Sequence, residues 1–149
     1  MISYIIDGNN LIGKIPELIK IQRKEKQTSR EKLVLMMQRY FQDKKAIVSL
    51  HLDGYPGEKI NAGKIKIIYS ENITADEKIK KQIEKSKSPK TTTVITSDSN
   101  LSQFARVCSC KVISSEDFAK QLNKKSTDEE QSIIDSMKNN DEFKKLFGV

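Results

Sequence analysis

Four aspartates stand where an apolar run stops or a helix begins. Ile2-Ser3-Tyr4-Ile5-Ile6 ends on Asp7-Gly8-Asn9-Asn10, Val48-Ser49-Leu50-His51-Leu52 on Asp53-Gly54, and Thr93-Val94-Ile95-Thr96-Ser97 on Asp98. The fourth, Asp76, lies three residues before Ile79, on the inward side of an expected helix. A single Asp-Gly is first of all a turn. Three strands that each deliver an aspartate to the rim where parallel strands end are a different matter, because ligands of open α/β sheets bind outside those ends. Carboxylates gathered there repel one another unless a cation sits between them. Hard divalent ions take oxygen ligands, so Mg²⁺ or Mn²⁺ is the expected occupant.

The elements that must hold these acids follow from the pattern. Residues 2–7 are almost continuously apolar and β-branched, as in a strand covered on both faces. Pro16 near the start of 15–19 suits a short helix. Thr28 with Glu31 reads as a capping box opening a helix with Leu33, Met36, Met37, Tyr40 and Phe41 on one stripe. Strands are expected at about 46–52, 65–69, 91–97 and 110–113. Thr74 with Glu77 caps a helix carrying Ile79 and Ile83, and further helices are expected from Asp98 to Val107 and from Ser115. The alternation β-α-β-β-α-β-α-β-α implies an α/β fold, a mostly parallel sheet with helices on both faces.

The chain has 149 residues, 36% hydrophobic and 32% charged, which suits one globular domain with a real core. No apolar run reaches the roughly 18 residues of a membrane span, and the chain enters its first strand without a secretory pattern, so a cytoplasmic location is expected. Cys108 and Cys110 have neither a second cysteine pair nor a nearby histidine, a poor zinc or redox motif. His51 is the only histidine, and no Gly-x-Ser-x-Gly accompanies it. Residues 126–149 carry six acids against three lysines, a net of −3, which leaves +10 on residues 1–125 of the total +7. Basic stretches at 20–32, with Arg23, and at 78–90, starting at Lys78, make a polyanion the natural partner, although solvated lysine-rich helices have the same composition. Two parts are expected: a body over 1–124 and an acidic amphipathic helical tail over 125–149 that docks on the body or on a partner.

Ile5-Ile6-Asp7-Gly8-Asn9-Asn10-Leu11-Ile12, Leu52-Asp53-Gly54, Tyr69-Ser70-Glu71-Asn72-Ile73-Thr74-Ala75-Asp76-Glu77-Lys78-Ile79 and Thr96-Ser97-Asp98-Ser99-Asn100-Leu101 together resemble the NYN domain, in its YacP-like branch, of the PIN-like ribonucleases. The resemblance spans residues 2 to about 122 in the right order. It implies a three-layer α/β/α PIN-like fold with strand order 3-2-1-4-5 and a metal-dependent endoribonuclease. The family's metal-binding acids carry over onto Asp7, Asp76 and Asp98, with Asp53 as an additional acid and Asn10 as the polar residue after the first. A fourth acid of many PIN domains has no secure match, since Glu116 and Asp117 fall at a helix start. The implied reaction is metal-assisted hydrolysis of a phosphodiester with a 5′-phosphate product. Thr96 and Ser97 are placed to hold Asp98, while Asn9, Ser97, Arg106, Lys78 and Arg23 are expected to contact substrate. Single-stranded RNA is the favoured form, with messenger and ribosome-bound RNA as candidates, no membrane partner, and a monomer and a homodimer both open.

Other classes fit less well. A haloacid-dehalogenase phosphatase lacks its second aspartate after Asp7-Gly8-Asn9, a receiver domain lacks its acidic pair, and Gly8 has no Gly-x-Gly-x-x-Gly partners. The main rival is a catalytically silent RNA-binding or ribosome-associated adaptor using the same basic surface.

Overall fold

β1 (Ile2–Asp7) occupies the middle of a five-stranded sheet in a computed structural model that describes residues 1–124. Its neighbours are β2 (Ala46–Leu52) and β4 (Thr92–Ile95), and the sheet is completed by β3 (Ile65–Tyr69) beside β2 and β5 (Lys111–Ile113) beside β4. The order is β3-β2-β1-β4-β5 and every pair is parallel. The acids that follow β1, β2 and β4 therefore share one rim. The expected tail over 125–149 lies outside the described residues.

Helices cover both faces. On one side α1 (Gly8–Ile12), α2 (Pro16–Lys24), α3 (Lys26–Phe41) and α6, helical from 115 to 124, enclose Leu18, Leu33, Met37, Phe41 and Phe118 against Ile6, Leu50 and Leu52. Tyr4, Tyr40, Phe41 and Phe118 meet there edge-on or tilted, with centroids 4.8–6.1 Å apart. On the other side α4 (Ala75–Lys85) and α5 (Ser99–Val107) bury Ile79, Ile83, Leu101 and Ala105 against Ile5 and Val94. Each fully buried Leu or Ile contributes about 1.5–3 kcal/mol of transfer free energy. Among the described residues no helix is long and apolar enough to cross a membrane.

Several local expectations change. The Thr28–Glu31 capping box does not form: α3 starts three residues earlier, at Lys26, after the extended Glu25, which caps without a side-chain bond. The helix at 15–19 runs on to Lys24, and Gly8-Asn9-Asn10 enters a short helix rather than a bare turn. Arg30, part of the basic stretch, is only 4% exposed. Its guanidinium donates to the carbonyls of Asp53 (2.6 Å) and Tyr55 (3.1 Å) and lies over the Tyr69 ring, so it braces the loop after β2 instead of facing solvent. Tyr55 is 59% exposed and donates its hydroxyl to Asn72.

Candidate active site

A cleft of about 280 Å³ opens at the carboxyl ends of the strands, lined by Asp7, Asn9, Asn10, Asp53, Asp76 and Asp98, with Thr74 and Ala75 at its wall. All four aspartates expected from the sequence line it, and no lysine or arginine does among the described residues.

Each acid is held by an element that the local sequence explains. Asp7 ends the central strand, and its Oδ2 accepts the Thr96 hydroxyl at 3.0 Å. That hydroxyl oxygen in turn accepts the Asp98 N–H at 3.1 Å, so one side chain fixes two acids. Asp98 caps α5, its Oδ1 accepting the Leu101 N–H at 2.8 Å. Asp53 Oδ1 accepts the Ala75 N–H at 2.9 Å, tying the end of β2 to the first turn of α4. Thr74 caps that helix through the Glu77 N–H, which sets Asp76 on the cleft wall, where it pairs with Lys80 at 3.0 Å. These ties engage a named oxygen of each of the four acids, and Asp7 also accepts from the Asn10 backbone N–H.

The two asparagines act as struts. Asn9 Oδ1 accepts the Asp53 N–H at 2.8 Å; Asn10 Oδ1 accepts the Ser97 N–H at 2.9 Å and the Ser115 hydroxyl at 2.6 Å. With those oxygens engaged, the amide NH₂ groups are what remain to donate to a ligand. Ser115 is a site-supporting residue that the sequence did not reveal, because its partner is 105 residues away.

The electrostatics are those of an acidic cleft in which only Asp76 has an ion-pair partner among the described residues. Burial pushes the Asp7 carboxyl above the usual carboxylate range; the Thr96 hydroxyl and the Asn10 backbone N–H oppose this, and the charges of Asp53 and Asp98 add to it. Behind the cleft Glu116 is held down at about 2, chiefly by the Ser97 hydroxyl and also by Lys14, 3.0 Å away. Glu116 is thus a brace beside the rim and does not line the cleft. His51, next to Asp7 across β1 and β2, is kept below its ordinary pKa by burial, with Lys78 and Lys66 adding to the shift and a bond to Gln82 opposing it.

The remaining expected contacts spread out. Ser97 does not line the cleft, its hydroxyl donating to Glu116 and accepting the Ser115 N–H, whereas Arg23 and Arg106 are exposed in the last turns of α2 and α5, and Lys78 faces a separate groove.

The donor set is all oxygen, which suits Mg²⁺ or Mn²⁺ and not zinc. Among the described residues no three acids, histidines or cysteines are close enough to ligate one ion together. Asp7, Asp53, Asp76 and Asp98 line the cleft together without closing on a single point as a ready-made ligand set.

In sequence, residues 4–146 match the family model described as the YacP-like NYN domain. No curated protein matches the chain. In fold it is similar to the crystal structure of Rae1 (YacP) from Bacillus subtilis, with a TM-score of 0.74 and 21% identity over 99% of this chain and 88% of that one. A single-site mutant of Rae1 gives 0.75 and 21% over 93% and 85%.

Proposed function

The chain belongs to the YacP-like NYN domain family, of the PIN-like nuclease superfamily, and from that premise we propose that it is a divalent-metal-dependent endoribonuclease acting on single-stranded RNA. The observation that carries this reading is the convergence of Asp7, Asp53, Asp76 and Asp98 on one cleft with no cationic side chain lining it among the described residues.

Asp7, Asp76 and Asp98, with Asp53 beside them, would hold Mg²⁺ or Mn²⁺ largely through its waters. When bound, such an ion supplies activation of a water and neutralisation of charge on the phosphate. The chain's own residues do the rest. Thr96 keeps an Asp7 oxygen oriented toward the cleft and positions the start of α5 under Asp98. The amide groups of Asn9 and Asn10 donate to phosphate oxygens, and Ser97, Lys78, Arg106 and Arg23 meet the rest of the RNA. A body over 1–124 performs this chemistry, with 125–149 as an appended tail, in the cytoplasm and on messenger or ribosome-bound RNA.

The test is cleavage of a labelled single-stranded RNA with Mn²⁺ or Mg²⁺ by the full chain and by Asp98→Asn. The expected result is internal cutting by the first and a loss of at least about a hundredfold in the second. Equal RNA retention with no cutting by either leaves the silent RNA-binding adaptor.

A further inference from the structure

A second concavity, of about 330 Å³, opens between α4 and the edge strand β3, and its chemistry is the reverse of the cleft's. Four lysines, Lys66, Lys78, Lys81 and Lys85, line it, with Gln82, Ile68 and His51, and no acid does. Lys78, Lys81, Gln82 and Lys85 recur at the spacing of one helix face, beside the apolar stripe of Ala75, Ile79 and Ile83. Like charges three and four residues apart oppose helix formation. Elsewhere on α4 that cost is offset, since Lys80 pairs with Asp76. Among the described residues none of the four groove lysines is in an ion pair.

The inner wall is built, not incidental. His51 is 1% exposed. Gln82 Nε2 donates to Ser49 Oγ at 3.0 Å, so its Oε1 is the atom that accepts from His51 Nε2 at 2.6 Å. The imidazole therefore carries its proton on Nε2, and its buried Nδ1 has no partner. A polar Ser49–Gln82–His51 chain thus stands behind a ring of unpaired ammonium groups. Along α4 the nine steps from Asp76 to Lys85 rise about 14 Å, so the groove begins at Lys78, two residues beyond the acidic cleft's Asp76, and continues down the sheet face.

We propose that this groove is a phosphate-binding site, occupied by the backbone phosphates of the RNA strand that leaves the cleft. The RNA source rests on the nuclease reading above; the phosphate site does not.

The experiment uses the full chain in EDTA, which prevents cutting. Binding of a fluorescein-labelled 12-nucleotide single-stranded RNA is measured against salt for the wild type, for Lys81→Gln/Lys85→Gln, and for the charge-matched Lys111→Gln/Lys120→Gln. In parallel, inorganic pyrophosphate is titrated while the ring resonances of His51, the only histidine, are followed. The groove variant should bind RNA on the order of tenfold more weakly, with the log–log salt slope reduced by about 1.4, while the control changes much less. Pyrophosphate that moves the His51 ring in the wild type only, with RNA binding unaltered, still supports the site and makes a free phosphate compound its occupant. Equal weakening in both variants, or no response to either probe, overturns the proposal. A wild-type His51 ring that ignores pyrophosphate and a groove variant that binds RNA as the wild type does, with RNA still cut in a separate Mn²⁺ assay, remove the groove and leave the nuclease standing; a wild-type pyrophosphate response with no RNA bound, or cut in that assay, does the opposite.

Discussion

Thr96 donates its hydroxyl to Asp7 Oδ2 across 3.0 Å, 89 residues apart in the chain, and its own Oγ1 accepts the Asp98 N–H. Removing it with Thr96→Val keeps the shape but strips both acids of their shared partner. Loss of a group that orients a metal-site acid costs about 10–100-fold in activity, and a part-buried N–H left unpaired costs about 1–3 kcal/mol of stability. Because the Thr96 bond lowers the Asp7 pKa, its loss raises that pKa further. The acid limb of the pH–rate profile should therefore move to higher pH in Thr96→Val and return in Thr96→Ser. An unmoved limb would show that Thr96 only fills space.

Asp7→Asn should abolish cleavage and yet stabilise the fold. Burial raises the Asp7 pKa above its unfolded value of 3.8, so between the two values the native state holds the extra proton. Stability then falls as pH rises through that interval, and at neutral pH the ionised carboxylate is a net cost. The neutral amide removes the cost and can still accept from Thr96. Thermal unfolding should give a higher Tm for Asp7→Asn at pH 7 and a gap that closes near pH 3. A lower Tm at pH 7 would contradict the assigned cause.

Divalent cations should stabilise the protein in the absence of RNA. An ion that binds only the native state at a hundred times its Kd contributes about 2.7 kcal/mol, which for a chain of this size is several degrees of Tm. Mg²⁺ or Mn²⁺ should raise the Tm of the wild type, EDTA should reverse it, and Asp98→Asn should lose most of the gain. Glu116→Gln should keep it, because Glu116 is engaged by Ser97 and Lys14 and does not line the cleft. A gain abolished by Glu116→Gln would make that residue the fourth acid.

Asp7, Asp53 and Asp98 were legible because each follows a short strand-like run rich in apolar or β-branched residues, and in a parallel sheet such positions share a rim. Asp76 was legible from the Thr74–Glu77 cap, a signal four residues long. What stayed hidden depends on distant partners. Arg30 looks like one more surface cation until the carbonyls of Asp53 and Tyr55, 23 and 25 residues on, come to meet it. Asn10 looks like a turn residue until Ser97 and Ser115 use its oxygen. The Thr28–Glu31 pattern misled because α2 and α3 are separated by Glu25 alone, so α3 is already under way when Thr28 is reached. Spacing along the chain also could not separate the unpaired lysines of α4 from Lys80, whose Asp76 partner is one turn back.

Gly8 should tolerate no side chain, for a reason tied to the cleft. A Cβ built there would lie 2.5 Å from the His51 carbonyl oxygen, 2.7 Å from Leu52 Cδ2 and 2.9 Å from Leu50 Cδ1. The oxygen belongs to the backbone of β2 and cannot rotate away, so β1 and β2 must part where Asp7 pairs with His51. Overpacking of this kind costs about 1–3 kcal/mol, which corresponds to a fall of roughly 3–10 °C in Tm. Gly13→Ala is the matched control: its Cβ meets nothing nearer than 3.4 Å and its φ of −64° is one that alanine adopts freely. Gly8→Ala should lose cleavage more steeply than its lost stability accounts for, since the displaced strand end carries Asp7, while Gly13→Ala should retain both. Equal Tm values for the two variants would mean that β2 yields at no cost, and that the junction of β1 with α1 does not hold the first acid in place.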